Sequence, residues 1–293
     1  MSIAAKIRKN MALMACLMLL LSAGCDRKLN RKKIALASVN WAESVAMSNL
    51  SKVLLERAGY EVEIKTADVA PVFAAVAGGS ADVFMDAWLP VTHRGYLAKY
   101  REKICIAGTN YKNARLGFVV PESSGIRSIA ELAAKAGQFN GKVTGIDAGA
   151  GIMARAAIAL KQYGLPMELQ TSSEAAMLTM LKRKITAGQP VVVTGWSPHY
   201  MFSAYKLKFL DDPLQVFGRA EVLQTVANRE FMAAHPELSR FFASFQLDDA
   251  ELSSLLATFK AIAQEREAAA VWLRRHPAFA ARMLASLQAP PQN

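Results

Sequence analysis

Short apolar runs alternate with helix-like segments along this 293-residue chain, and that alternation restricts its fold more than any other feature. Residues 33–39 read as a buried strand, and residues 41–58 read as a helix with its apolar positions on one stripe. Asn40, with Glu43 three residues later, predicts a capping box at the start of that helix. Strands and helices continue to alternate up to about residue 100. This order predicts a parallel sheet whose strands are joined by crossover helices.

The same order begins again in the second part of the chain. Strands are predicted at 114–120, 142–146, 190–194 and 221–227. Helices are predicted at 128–136, 152–163 and 173–184, and from residue 230 onward. We therefore predict an α/β fold with two lobes, each a sheet flanked by helices: 33–112 form the first lobe, 113–225 form the second, and 226–293 return to the first. Two crossings between lobes make a hinge, and a cleft between lobes is a common place for a ligand.

The first 25 residues carry the pattern of an export signal. Lys6, Arg8 and Lys9 form a basic start, and the apolar run that follows at 11–21 is too short to span a bilayer. The run ends in LSAGC, which resembles a bacterial lipobox and predicts Cys25 as the lipid-modified first residue of the mature chain. An ordinary signal peptide is the alternative.

The residues after Cys25 indicate where the mature protein is held. Asp26 resembles an inner-membrane retention signal, so we expect a lipid-anchored protein on the periplasmic face of the inner membrane. Residues 26–32 would form the tether. One lipid-modified terminus holds a domain at a membrane without spanning it.

Cysteine content and charge argue against a disulfide-stabilised domain and against a nucleic-acid partner. With Cys16 in the signal and Cys25 lipidated, Cys105 is left alone, so the exported domain has no internal disulfide and depends on a packed core. The net charge of +11 falls to about +8 once the signal is removed. The basic residues are scattered, and no basic run is interleaved with aromatic residues. We therefore expect no nucleic acid among the partners.

Three tryptophans stand where predicted strands end. Trp88 lies in the segment DAWLPVTH at 86–93, directly after a strand, and Trp41 and Trp196 occupy equivalent turns. Small molecules bind at strand ends of α/β sheets, so the three indoles either meet in the cleft or plug the core. Indole faces attract soft cations, and a quaternary ammonium suits them because it has no N–H to satisfy. Trp272, on an apolar helix stripe, is assigned to the core.

A glycine-rich turn at 147–151, before a predicted helix, is suited to an anion, whereas the indoles are suited to a cation. Free backbone N–H groups at a helix N-terminus bind an anion, and Gly151 and Ile152 are placed to donate to a carboxylate. His93 can add a third donor from the first lobe. His199 is expected to brace the turn that carries the third tryptophan.

Residues 149–154 also match G-x-G-x-x-A, the pattern of a dinucleotide site, so a nicotinamide-dependent enzyme is an alternative. That pattern needs a second strand that ends in an acid about 20 residues on, but residues 171–174 open a helix here. No H-E-x-x-H, G-x-S-x-G or paired-cysteine pattern occurs. We expect a binding protein and not an enzyme, with no cofactor and no metal.

Five segments together resemble the glycine betaine and proline betaine substrate-binding proteins of ABC transporters. They are VNWAE (39–43), DVAPVF (68–73), DAWLP (86–90), GIDAGAGIM (145–153) and TGWSPH (194–199). The resemblance covers nearly all of the mature chain and implies a two-lobed periplasmic-binding-protein fold of type II. It also implies delivery of glycine betaine or proline betaine to an ABC permease for osmoprotectant uptake. We expect the protein to be a monomer.

Site residues follow from the same resemblance. Members of the family hold the ammonium in a prism of three tryptophans, and they hold the carboxylate on two consecutive amides and a histidine. Carried across by motif, these residues are Trp41, Trp88 and Trp196 for the ammonium, and Gly151, Ile152 and His93 for the carboxylate. Tyr200 departs from the tryptophan that relatives often carry and is expected to shape the rim. A binder of choline or carnitine with the same fold is the alternative.

Overall fold

The computed structural model describes residues 32–288, which form a mixed α/β fold around one curled sheet. Its strands are β1 (Lys33–Ser38), β2 (Glu61–Thr66), β3 (Val83–Leu89), β4 (Ile104–Pro121), β5 (Lys142–Thr144), β6 (Glu168–Gln170), β7 (Val193–Ser197), β8 (Leu207–Phe209) and β9 (Glu221–Asn228). In space they follow the order β2-β1-β3-β9-β4-β7-β5-β6, with β8 paired to β4.

Helices cover the sheet. They are α1 (Ala42–Arg57), α2 (Val69–Gly78), α3 (Arg94–Tyr100), α4 (Leu132–Lys135), α5 (Gly151–Gln162), α6 (Glu174–Thr186), α7 (Met201–Ala204), α8 (Arg229–Ala234), α9 (Pro236–Ser244), α10 (Asp249–Ala261), α11 (Glu265–Arg275) and α12 (Pro277–Gln288). Short 3₁₀ turns lie at Glu122–Ser124, Ile129–Glu131 and Ala136–Phe139.

The long strand β4 runs through both halves of the sheet and joins them. Residues 104–114 pair with β9, residues 115–119 pair with β7, and residues 119–121 pair with β8. We call the half built on β1, β2, β3 and β9 lobe 1, and the half built on β5 to β8 lobe 2. Strands β1, β2 and β3 run parallel, as do β5, β6 and β7, as predicted for crossover helices. The predicted boundaries at residues 112 and 225 stay predictions.

β4 begins at Ile104, although the sequence predicted a start at residue 114. Its pairing with β9 contains three register shifts, all between Ile106 and Ala114. Such bulges break the regular two-residue alternation of side chains. The first half of the strand therefore lacks the periodic signal by which a strand is found from sequence.

The first helix begins without the predicted capping box. Its N-cap is Trp41, and no side chain caps it. The Glu43 carboxylate instead turns inside and accepts a hydrogen bond from the Trp196 indole of lobe 2 at 2.9 Å. The prediction of a cap at Asn40 is therefore wrong, because a partner from a distant element takes the carboxylate that the cap would have used.

The C-terminal helices pack on lobe 1. Helix α11 contacts α1, and α9 contacts β4. Trp272 of α11 is fully buried, as predicted, and its indole N–H donates to Ser254 at 2.9 Å. At Gly108 in β4, an added Cβ would lie 2.1 Å from the backbone oxygen of Phe242 in α9. Only glycine allows this close approach of strand and helix.

None of the helices between residues 32 and 288 combines the length and the apolar character needed to cross a membrane. The predicted export signal, Cys25 and all but the last residue of the predicted tether lie outside the described residues.

We expect Gly108→Ala to destabilise the protein by about 2 kcal/mol or more, because a clash with backbone cannot be relieved by a rotamer change. Chemical denaturation followed by circular dichroism measures the effect. Gly78→Ala is the matched control: no atom lies within 4 Å of a Cβ added at Gly78. Its stability should be unchanged or rise by up to about 1 kcal/mol. Equal stability of the two variants would contradict the packing of α9 on β4.

Candidate functional site

A small cavity lies between the two lobes. The six residues that the sequence predicted for ligand binding all line it: Trp41, Trp88, Trp196, His93, Gly151 and Ile152. Glu43, Thr92, Leu116, Ile146 and Ala150 complete the wall. The structure thus brings the predicted residues of both lobes together, and their role in binding stays a prediction.

Each tryptophan is carried into the cavity by the end of a strand. Trp88 is the second-last residue of β3, Trp196 is the second-last residue of β7, and Trp41 follows β1 at the start of α1. Pro90 and Pro198 follow the two strands and cannot extend their hydrogen-bond ladders. The three side chains are buried, with exposed fractions of 6 % or less. They enclose the cavity instead of plugging it.

Two of the indoles are fixed by carboxylates of the opposite lobe. The Trp41 Nε1–H of lobe 1 donates to Asp147 Oδ2 of lobe 2 at 3.3 Å. The Trp196 Nε1–H of lobe 2 donates to Glu43 Oε2 of lobe 1 at 2.9 Å. A buried indole N–H needs an acceptor, and here the opposite lobe supplies each one.

His93 is a neutral hydrogen-bond donor with a free N–H. The ring is fully buried, and its burial lowers the pKa of His93 to about 3. Its Nδ1 accepts the backbone N–H of Trp88 at 3.0 Å, so the single proton of the neutral ring lies on Nε2. No described residue accepts a hydrogen bond from that Nε2. A ligand acceptor in the cavity would satisfy it.

The N-terminus of α5 adds two more donors. Gly151 and Ile152 are its first residues, and Ala150 at the N-cap has no side-chain acceptor to cap them. Within the described part of the chain, neither amide N–H has a hydrogen-bond acceptor. Such amides bind anions. The sequence predicted that a carboxylate binds at these amides, and that role stays a prediction.

Glycine at position 151 lets the two lobes meet. A Cβ added there would lie 2.3 Å from Thr92 Cγ2 and 2.9 Å from the Thr92 carbonyl oxygen of lobe 1. Tyr96 Oη also donates across the lobes to the Gly149 carbonyl oxygen at 3.3 Å. The start of α5 thus packs closely against the β3–α3 loop. In this fold the second glycine of the G-x-G-x-x-A pattern, Gly151, allows a close contact between the lobes.

Buried carboxylates stand beside the cavity, and the sequence analysis missed them as site residues. Burial, and after it the charge of Glu174, raises the pKa of Glu43 to about 8. Burial, followed by the charge of Glu43, raises the pKa of Asp86 well above its ordinary value. One signal was available: Asp86 precedes Trp88 by two residues, a spacing that places both side chains on one face of a regular strand. Glu43 gave no such signal, because its position fitted a helix cap.

Glu174 joins this group from lobe 2. Its Oε2 accepts the N–H of Ala42 at 3.1 Å across the lobes, and its Oε1 lies 3.0 Å from His199 Nε2. The other ring nitrogen of His199 accepts the Met201 N–H, and the ring packs edge-on against Trp196 at 4.8 Å. The prediction that His199 braces the tryptophan turn is confirmed.

Tyr200 stays outside the cavity wall. It lies in a neighbouring groove between the lobes, where the Lys260 ammonium of α10 is 4.8 Å from the centre of its ring. Within residues 32–288, no three His, Cys, Asp or Glu side chains gather as a metal site would require.

Comparison with known sequences gives the family. Residues 32–275 match the OpuAC family, described as the substrate-binding domain of ABC-type glycine betaine transport systems. The chain is also 38 % identical over 143 residues to the glycine betaine/carnitine transport binding protein GbuC of Listeria monocytogenes. That alignment spans 48 % of this chain and 48 % of GbuC, which is about half the length of the relative.

Solved structures give the same result. Lactococcal OpuAC, in its closed-liganded conformation with glycine betaine, superposes with a TM-score of 0.82 at 32 % identity, over 86 % of this chain and 99 % of that one. The glycine betaine/L-proline-binding protein ProX of Borrelia burgdorferi superposes with a TM-score of 0.83 at 30 % identity, over 88 % and 99 %. The fold is the predicted two-lobed periplasmic-binding-protein fold, and the chain belongs to the family of substrate-binding domains of ABC-type glycine betaine transport systems.

Proposed function

We propose that the protein is the extracytoplasmic substrate-binding component of an ABC transporter, and that it captures glycine betaine or proline betaine for osmoprotectant uptake. One observation carries this proposal. Three buried indoles, the free Nε2–H of His93 and the free amides of Gly151 and Ile152 line a single cavity between the lobes. A trimethylammonium carboxylate has a cationic group for the indoles and an anionic group for the N–H donors.

The ammonium end would lie among the indoles. Their faces attract a cation through the ring quadrupole, and the attraction grows when water is excluded. Ammonium methyl groups add dispersion contacts and carry no N–H that would need an acceptor. Glu43, which also lines the cavity, adds a negative charge once it loses its proton. The carboxylate end would accept hydrogen bonds from His93 and from the two amides of α5.

Binding would be coupled to closing of the lobes. The carboxylate donors come from both lobes, as do the partners of the two indole N–H groups. A ligand that bridges them therefore binds the closed form better than the open form, and this difference drives closure. The closed form would then be presented to the permease.

The proposal includes the membrane anchor. Cys25 would carry the lipid, and the mature monomer would be tethered at the periplasmic face of the inner membrane beside its permease. The family of the chain supports an extracytoplasmic place for it.

Choline or carnitine is the second candidate, and the glycine betaine/carnitine transport binding protein GbuC among the relatives supports carnitine. Choline has no carboxylate, so it would leave the His93 N–H and the two amides buried without partners. Each such group costs about 1–3 kcal/mol. Betaines are therefore favoured over choline.

The proposal is tested by titrating residues 26–293 with glycine betaine, proline betaine, carnitine and choline, followed by tryptophan fluorescence and calorimetry. Saturable binding of the betaines with weaker binding of choline is expected. Binding of choline alone would overturn the carboxylate site, and no binding of any of the four would overturn the proposed function.

Trp88→Ala should lower the affinity for glycine betaine roughly 5- to 30-fold, because one aromatic wall in a dry site contributes about 1–2 kcal/mol. Calorimetric titration measures it. Trp272→Phe, a change in the core of α11, is the control and should keep the affinity. An unchanged affinity of a folded Trp88→Ala protein would remove the aromatic cage from the proposal.

His93→Ala should lower the affinity for glycine betaine roughly tenfold, the worth of a hydrogen bond to a charged group, and should affect choline less. The ratio of the two affinities is the measurement. His235→Ala is the control, because His235 bonds the Phe231 carbonyl oxygen and does not line the cavity. Equal losses for both ligands would deny His93 a role at the carboxylate.

Closing of the ligand-free protein should take up a proton at Glu43. The closed form raises the pKa of Glu43 to about 8, whereas solvent in an open cleft would return it towards its ordinary value. The closed form is thus favoured as the pH falls from about 8 to about 5. Asp86 of β3 and Glu174 of α6 face Glu43, and His199 pairs with Glu174. Small-angle X-ray scattering of the ligand-free protein should show compaction over this range.

Glu43→Gln should remove most of this pH response and should weaken glycine betaine binding, because the glutamine cannot become negative. The exposed Glu63 of β2 provides the control variant Glu63→Gln. The same compaction with pH in Glu43→Gln as in the unsubstituted protein would show that another group takes up the proton.

A further inference from the structure

A buried carboxylate on β9 binds the loop between β3 and α3. Glu221 is 2 % exposed, and its Oε2 accepts the backbone N–H groups of Val91 at 2.7 Å and Thr92 at 2.9 Å. Its Oε1 accepts the Thr92 hydroxyl. None of the salt bridges in the described part of the chain involves Glu221. The carboxylate is thus compensated by loop donors alone.

Glu221 lies where the chain passes between the lobes. It is the first residue of β9, and it pairs with Ala114 of β4, next to the residue at which β4 leaves β9 and begins to pair with β7. Both strands that join the lobes therefore meet at this position. A group fixed to Glu221 is fixed to the hinge.

The loop bound by Glu221 carries the lobe 1 side of the carboxylate site. Thr92 packs on Gly151 at the start of α5. His93 closes a ring with Trp88: its backbone N–H donates to the Trp88 carbonyl oxygen at 2.9 Å, and its Nδ1 accepts the Trp88 N–H. A shift of the loop would move the His93 Nε2 and the contact with α5 together.

We propose that Glu221 is a positioning residue for the ligand carboxylate. By fixing the β3–α3 loop to the hinge, it places His93 Nε2 so that lobe closure brings this donor and the amides of Gly151 and Ile152 to one anion. Glu221 does not line the cavity. Its effect is transmitted through Thr92 and His93. The inference rests on the proposed function, because it concerns the same carboxylate.

Glu221→Gln tests this role with little change of shape. The glutamine carbonyl oxygen can still accept from both backbone N–H groups, and its NH₂ group can donate to the Thr92 hydroxyl, so the substitution removes the negative charge that strengthens these hydrogen bonds. Affinity for glycine betaine should fall roughly tenfold, and the dissociation rate in stopped-flow tryptophan fluorescence should rise. In a protein that already carries His93→Ala, the same substitution should lower the affinity less than about twofold, since Glu221 acts through the His93 donor.

Asp82→Asn is the matched control, because Asp82 accepts the Ala35 N–H at 2.7 Å in lobe 1, away from the loop. It should leave the affinity unchanged. The positioning role would be overturned if Glu221→Gln lowered the affinity for glycine betaine equally with and without His93. It would also be overturned if Glu221→Gln lowered the affinity no more than Asp82→Asn does. In both cases the proposed function would stand. If the unsubstituted protein binds no betaine, the proposed function fails and this inference fails with it.

Discussion

Two buried indoles in this structure depend on carboxylates that the opposite lobe supplies. The Trp41 N–H reaches Asp147 of lobe 2, and the Trp196 N–H reaches Glu43 of lobe 1. A buried indole N–H without an acceptor would cost about 1–3 kcal/mol. Both hydrogen bonds cross the cleft, so a change in lobe separation would break them and leave the two N–H groups to solvent. A ligand held among the indoles would therefore favour the closed arrangement.

The same requirement brings carboxyl groups beside the aromatic rings. Glu43 and Asp86 are buried, and none of the salt bridges between residues 32 and 288 includes either of them. Their pKa values rise because burial disfavours the charged form. A quaternary ammonium among the indoles would favour the charged form of these carboxyl groups and lower their pKa values. The acceptor that fixes an indole ring thus also favours a cationic ligand over a neutral one.

The donors for an anion are arranged by a different means. His93 is kept neutral by burial, and its proton lies on Nε2 because the Trp88 N–H occupies Nδ1. The other donors are backbone amides, which carry no net charge. The carboxylate would therefore meet dipoles, and the ammonium would meet aromatic faces and an acid. This separation of neutral donors from acids suits a zwitterion, since it places no full positive charge near the ammonium.

Local features of the chain could be predicted because their causes are local. Strand and helix periodicity predicted the alternating strands and helices of both lobes, and the position of each tryptophan after a strand made a shared place in the cleft one of two alternatives. The free amides of Gly151 and Ile152 were also foreseeable, since the first amides of a helix have no partner within it. β4 was predicted too short because its bulges hide the alternation.

Partners of the buried polar groups were decided by the tertiary structure alone. Glu43 has the sequence context of a helix cap, yet its partner Trp196 stands 153 positions away. Glu221 gave no signal, because its donors at Val91 and Thr92 lie 130 and 129 positions before it. The sequence by itself determined the elements, their order and the aromatic and amide groups at their ends. Which acid compensates which donor is set by proximity in the closed fold, and no periodic pattern of residues encodes that proximity.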